Sequence, residues 1–498
     1  MDTLFEQLAD RPSCHAIGVA IKAGNTEAAL RSVEYLVQRI FCEPLNTALV
    51  FADPLLDATC QWLGHERLQT NRAYLALGSS TLVVSSRQVV CVVSRLQRSG
   101  GHTAVLADIL SSPDLVGAPV TVLLTGVGGA TAASALSLRF GHLPQVQFER
   151  APRFSRLRKL DWLQKRLCEL KPRDVWLVNH HQDSVAVAAV QPEQGYNLHY
   201  LHHGDHHLCL GVHLGFGTHV DLHPMGFRNC RVVLGLAHNT YRPLSTSDLG
   251  LRLPIVPVGI NSVNASHNSK LVTCTAAGSN KIAVPYWISY LQVIPMVLAQ
   301  TQGVHVHIGK LSVLYRLRMQ YALWRQGIDL DRFRYVSHVD SVWRALHLYQ
   351  VDLYLTSFPY GGAKTMVEVM GAGVPMAVHI HKTRPFLSAV DIAPVGSFFW
   401  RTPRELLEWL AAQNAATLYS FGRQARLCYE RNHQTNYLQM KCSYSQRMAL
   451  EATYLQVPVI CTTSAQVPDS KKSREKTLLG SLRYKLYLCG RIFMSRFS

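Results

Sequence analysis

The segment TSFPYGGAKTMVEVMGAGVPMAVH (356–379) carries the strongest chemical pattern in the chain. A turn built on Tyr360, Gly361 and Gly362 leads into a helix expected to begin near Ala363 and to end at Gly371 or Gly373. The open end of such a helix, over Gly361, Gly362, Ala363, Lys364 and Thr365, presents backbone N–H groups and the positive end of the helix dipole. Both suit a phosphate or the hydroxyls of a ribose. Glu368, one turn in, is placed to accept hydrogen bonds from that ribose. A second glycine turn, Gly100-Gly101-His102, stands between an expected strand and helix in RLQRSGGHTAVLADIL (95–110).

Histidine is concentrated as unusually as glycine. Ten of the 23 histidines fall between 180 and 223, in NHHQDS (179–184) and YLHHGDHHLCLGVH (200–213) among others. A di-metal hydrolase reads H-x-H-x-D-H; His203, Asp205 and His206 fit its last part, but Leu201 stands at the first ligand position. A metal-dependent hydrolase using the His202–His207 cluster is therefore one reading. The other has the strand at 197–201 deliver His202, His203 and Asp205 toward a substrate. There His203 or Asp205 takes a proton from an attacking hydroxyl.

The elements that must position these groups alternate. VVCVVS (89–94), VTVLLT (120–125), DVWLVN (174–179), HVDLH (219–223) and RVVLG (231–235) read as buried parallel strands, with helices at 102–111, 155–170 and 182–190. After a Pro/Asn/Ser-rich linker at 254–270 the alternation resumes. Strands are expected near 271, 304, 333, 352 and 374, and helices at 284–301, 311–326, 341–349, 363–372 and 403–413. Two such halves form a cleft whose ligands lie at the carboxyl ends of the strands. Residues 1–85 show only helical spacing, with Ala29, Leu30, Val33, Leu36 and Ile40 at three- and four-residue steps. The expected organisation is a helical N-terminal domain (1–85), a first Rossmann-like lobe (86–260), a second Rossmann-like lobe (261–455) and a basic tail (456–498).

The glycine turn, the acid-bearing helix and the small-x-Gly-x-Pro ending of 356–379 resemble the donor-binding motif of GT-B glycosyltransferases. Retaining members often carry a second Glu eight residues before the helical one, where this chain has Tyr360. FPYGG is closer to the inverting group that holds O-GlcNAc transferase and the bacterial cytoplasmic enzymes that glucosylate adhesins. The resemblance implies an α/β GT-B architecture and sugar transfer from a nucleotide-sugar, UDP-sugar favoured, with inversion. It implies a donor held by Ser279, Asn280, Lys281, Tyr360, Gly361, Gly362, Ala363, Lys364, Thr365 and Glu368, with Lys281 facing the diphosphate. Catalytic His203, Asp205 and His102, with Gly100, Gly101, His202 and His206, fall on the acceptor side. No metal and no cofactor beyond the co-substrate is implied, because a fixed ammonium offsets charge on the leaving diphosphate.

Composition bounds the rest. The 498 residues exceed one hydrophobic core, and 48% apolar with 16% charged residues is ordinary for a globular enzyme. Twelve cysteines without a C-x-x-C pair, no spanning apolar run and an acidic start read as a cytoplasmic protein. The net charge of +18 lacks the aromatic-interleaved stripe of a nucleic-acid binder. Between 471 and 498 eight Lys/Arg face one Glu among seven apolar residues, so an anionic membrane surface is a candidate partner, beside a protein, glycan or lipid acceptor. A non-catalytic nucleotide or sugar binder is the third reading.

Overall fold

The protein is described by a computed structural model covering residues 2–42, 50–71, 73, 88–97, 101–112, 115, 117–204, 206–251, 270–394 and 396–434. Asp205, Gly100, most of the linker and the basic tail lie outside the described residues. The chain divides into two compact units, 1–242 with 458–498, and 243–457.

The first unit holds a seven-stranded sheet: β1 (Val89–Val93), β2 (Val120–Leu124), β3 (Val146–Arg150), β4 (Asp174–Val178), β5 (Asn197–His202), β6 (Gly217–Asp221) and β7 (Asn239–Tyr241). All pairings are parallel, in the order β3-β2-β1-β4-β5-β6-β7. β1 and β2 are buried at every residue, which explains their unbroken apolar runs: helices cover both faces. The expected strands at 89, 120, 174 and 219 are found. RVVLG is not a strand. Pro224 starts the helix Pro224–Arg228, and Asn229–Val233 continues it as a π-turn with Val232 and Val233 exposed. Here chain context overrides the β-branched preference.

The N-terminal helices do not stand apart as a domain. Thr26–Cys42 buries the predicted Ala29, Leu30, Val33, Leu36 and Ile40 in one core with Leu160, Leu163, Val185 and Leu198 of the α/β layer. Pro54–Thr70 crosses Ser184–Ala189 so closely that a Cβ on Gly64 would lie 1.7 Å from Ala188 O. Half-buried ion pairs, Arg156–Glu34 at 2.8 Å and Arg67–Asp161 at 2.5 Å, reinforce this packing.

The second unit repeats the pattern with β8 (Val272–Ala276), β9 (Val304–Ile308), β10 (Phe333–Val336), β11 (Leu353–Leu355), β12 (Met376–His379) and β13 (Phe398–Trp400). This sheet is also parallel, ordered β10-β9-β8-β11-β12-β13. β13 and the long helix Ala415–Asn432 were not expected. That helix returns to the donor motif, where Arg426 donates to Gly371 O at 2.7 Å and pairs with Asp248 at 2.5 Å.

Candidate functional site

In each sheet the strand order reverses direction at one point, between β1 and β4 and between β8 and β11. Ligands of open α/β sheets bind outside the carboxyl ends of the strands at such a point. The two donor segments expected from sequence leave β8 and β11, the pair flanking the reversal in the second unit.

They meet there. Lys281, on the one-turn helix Ser279–Ile282 after β8, donates from Nζ to Gly361 O at 2.6 Å, and Tyr360 N donates back to Lys281 O at 3.5 Å. A Cβ on Gly362 would lie 3.1 Å from Lys281 Nζ. The ammonium thus sits beside the start of the helix Ala363–Gly371. Gly361 is required because a Cβ there would lie 2.5 Å from Ser388 O. The helix starts show a second regularity. Tyr290–Thr301, Val313–Trp324, Val342–Leu348, Pro403–Ala411 and Ala415–Asn432 are each capped by a side chain: Ser289, Ser312, Ser341, Thr402 and Asn414. The α-helices that follow β8 and β11 are capped by Gly278 and Gly362 and have no side-chain cap. The open start of Ala363–Gly371 suits an anion, whereas in the short helix after β8 Ser279 N is spent on Lys310 O and Lys281 N on Gly278 O, each at 3.0 Å. Burial pulls the half-buried Lys281 ammonium down to about 8, so it retains its charge at neutral pH but holds it against desolvation.

Other predicted donor residues serve the scaffold. Gly361 N–H is spent on Leu387 O at 2.7 Å. Ser279 binds Lys310 O and accepts from Ser312 N. Asn280 is exposed, and Lys364 Nζ donates to Ser245 O at 2.5 Å. Thr365 Oγ1 faces Gly362. Glu368 Oε2 accepts from Trp343 N at 3.0 Å, capping the start of Val342–Leu348, so only Oε1 remains for a ligand.

In the first unit, His102 and His180 follow β1 and β4. Their rings stack 4.5 Å apart, and His203, after β5, stands edge-on to His102 at 4.9 Å. His102 Nε2–H donates to Val178 O at 3.0 Å, leaving a buried Nδ1 lone pair with no partner. Burial pulls His102 down to about 4, and burial beside the other imidazoles holds His180 and His203 well below the usual range. All three are therefore neutral at pH 7. His180 and His203 are both half-buried, and His102 is buried. Beneath them Asp183 accepts from Ser94 Oγ at 2.6 Å and Thr125 Oγ1 at 2.5 Å, fixing the loops. His180 is the member that motif reading passed over; its position two residues beyond a strand end at the reversal was the available signal.

The adjacent histidines of 202–207 do not converge on one point. His202 is fully buried and pairs with Asp221 at 3.0 Å, so it does not face an acceptor. His206 and His207 meet edge to face, and His207 packs against Phe41. Among the described residues of this run no hydrolase centre is assembled. Gly101 opens the helix Gly101–Leu110.

Two parallel sheets of this winding define the two-lobe α/β fold of GT-B glycosyltransferases. Among solved structures, Anabaena Alr3699/HepE, crystallised with UDP-glucose, is similar over 74% of this chain and 100% of that one, at TM-score 0.52 and 14% identity. A glycosyltransferase from Rickettsia africae ESF-5 matches 74% of this chain and 99% of its own at TM-score 0.50 and 8% identity. Thermobaculum terrenum O-GlcNAc transferase, at TM-score 0.45 and 15% identity over 88% of this chain and 82% of that one, says nothing of the subgroup. No protein-family model and no curated protein matches the chain. At these identities the likeness establishes the fold.

Proposed function

We propose that the chain is a glycosyltransferase that binds a nucleotide-sugar, preferably a UDP-sugar, on its second unit and transfers the sugar with inversion. One observation carries this: Lys281 Nζ lies against Gly361 and Gly362 at the uncapped start of Ala363–Gly371, on the strand pair where the sheet reverses. A fixed ammonium and orphan N–H groups together supply the positive field that a departing diphosphate needs. That a protein of the same fold, Alr3699/HepE, was crystallised with UDP-glucose supports this reading.

In this reaction the acceptor oxygen forms a bond to the anomeric carbon as the bond from that carbon to the diphosphate oxygen breaks. The acceptor proton passes to a base, for which we assign His203, half-buried and neutral at pH 7. His102 positions it, and Asp205, outside the described residues, is the alternative base. Tyr360, where retaining relatives carry Glu, favours inversion. Glu368 Oε1 is assigned to the ribose.

The test is a panel of UDP-, GDP- and other nucleotide-sugars scored by nucleotide release, alongside calorimetric binding of each nucleotide. Release with one donor supports the reading, binding without turnover points to a non-catalytic binder, and absence of any binding sinks it. We also propose a cytoplasmic protein whose tail meets anionic membranes; among the described residues no helix is long and apolar enough to cross one. Unchanged liposome binding after deleting 470–498 would remove the tail from that role.

A further inference from the structure

His202 leaves the histidine run because of strand geometry. It ends β5, directly in register with Asp221 at the end of β6. His219, two residues earlier on β6, shares the face of Asp221 by the two-residue period of a strand. Cys230 arrives from the π-turn Asn229–Val233. Three elements thus bring two imidazoles, a carboxylate and a thiol to one place, and all four are buried.

Their spacing approaches that of a coordination shell. One ligand atom from each residue can be chosen so that all lie within 4.8 Å of one another. His202 Nδ1 is 3.0 Å from Asp221 Oδ1, Cys230 Sγ is 3.5 Å from His202 Nδ1, and Sγ is 3.6 Å from the same carboxylate oxygen. A tetrahedral centre with bonds of about 2.0–2.3 Å places its ligand atoms roughly 3.3–3.8 Å apart. A hydrogen-bonded cluster accounts for the atoms less well. Asp221 Oδ2 lies 3.2 Å from His219 Nδ1, and Nε2 of both imidazoles is buried without a partner. Among apolar neighbours such unspent lone pairs are costly. A divalent cation bound through one nitrogen of each imidazole satisfies the lone pairs that face the carboxylate and thiol, and a thiolate with a carboxylate neutralises its charge. Around the four stands an outer support: His219 Nδ1 faces Asn239 Oδ1 at 3.3 Å, and Asn239 Nδ2 donates to Phe227 O at 3.0 Å.

We propose that His202, His219, Asp221 and Cys230 bind one zinc ion that pins the ends of β5 and β6 to the turn after Pro224–Arg228. A mixed sulfur, nitrogen and oxygen set of four suits zinc, and a buried shell filled by four protein ligands marks a structural site. It sits apart from the chemistry of sugar transfer and does not depend on that reading. By tying down β5 it fixes the strand end from which His203 projects.

The test is metal analysis of the full chain, produced without a histidine tag or chelator. The expected result is about one zinc per chain, falling at least tenfold in Cys230→Ala and His219→Ala and unchanged in His206→Ala. Protein grown in cobalt should show the visible bands of a tetrahedral centre and a thiolate-to-cobalt charge-transfer band that Cys230→Ser abolishes. Should the variants fail to fold, the wild-type cobalt spectrum decides alone. Sub-stoichiometric metal without those bands overturns the proposal, as does full metal retention in the Cys230→Ala/His219→Ala double variant.

Discussion

Lys281 is held in a conflict that only a ligand resolves. Its ammonium is half-buried beside backbone carbonyl and helix start, with burial drawing its affinity for a proton down to about 8. A carboxylate would satisfy it, but no salt bridge to Lys281 is present among the described residues. We therefore expect Lys281→Met to weaken UDP binding and transfer by about 100-fold or more, the loss that follows removal of one oxyanion partner, while the melting temperature of the unliganded protein holds or rises. The sign follows from linkage. Between about pH 8 and the ordinary lysine value near 10.4 the unfolded chain holds a proton that the folded chain has released, so this group makes folding more favourable as pH rises through that window. At neutral pH the charge burdens the fold, and methionine removes the burden. Because the binding form is the ammonium, kcat/KM for the donor should fall above about pH 8, and Lys281→Arg should move that limb to higher pH. A pH profile that is flat to pH 10 in the wild type would count against the assignment.

Glu368 has two tasks that substitution separates. Its Oε2 caps the start of Val342–Leu348 through Trp343 N. Glu368→Ala should cost about 1 kcal/mol of stability, as lost caps do, read from urea unfolding. If Oε1 also holds the ribose, UDP affinity falls in the same variant while phosphate affinity does not; loss of stability alone would leave Glu368 a cap and nothing more.

The secondary structure was largely legible because its signals are local. Fully buried parallel strands are β-branched runs, and VVCVVS, VTVLLT and DVWLVN announce β1, β2 and β4 wherever they pack. The glycine pair of 361–362 likewise marks a helix start that no side chain caps. What failed depended on contacts between distant residues. RVVLG became a π-turn because Pro224 had already begun a helix. The separation of His202 from His203 follows from strand alternation and from a partner 19 residues away. The N-terminal helices read as an appendage because amphipathic spacing shows that a face is buried and not what buries it. Gly64 shows how intimate the packing is: helix backbone meets helix backbone at Ala188. Gly64→Val should destabilise the first unit by at least about 1–3 kcal/mol, the range for overpacking, and shift its denaturation midpoint. A neutral substitution would restore the view that residues 1–85 are a separate domain.

Taken together, the two units split the chemistry. All groups assigned to the donor, from Lys281 to Glu368, lie within 243–457, whereas the histidines assigned to the acceptor proton, His102, His180 and His203, lie within 1–242. Each set is carried on its own sheet with its own core, so removing a side chain from one leaves the other's hydrogen bonds intact. Two variants should then fail differently. His203→Ala should bind UDP like the wild type yet turn over roughly 10²–10⁴-fold more slowly, the range for loss of a general base. Lys281→Met should lose both binding and turnover. Calorimetry with UDP and steady-state nucleotide release, run on the same two preparations, separate the cases. If His203→Ala loses UDP binding as well, the histidine triad belongs to the donor site and the assignment of proton transfer to the first unit falls. If it keeps both binding and full turnover, Asp205 becomes the base to test, since it is the titratable carboxylate two residues along the sequence from His203.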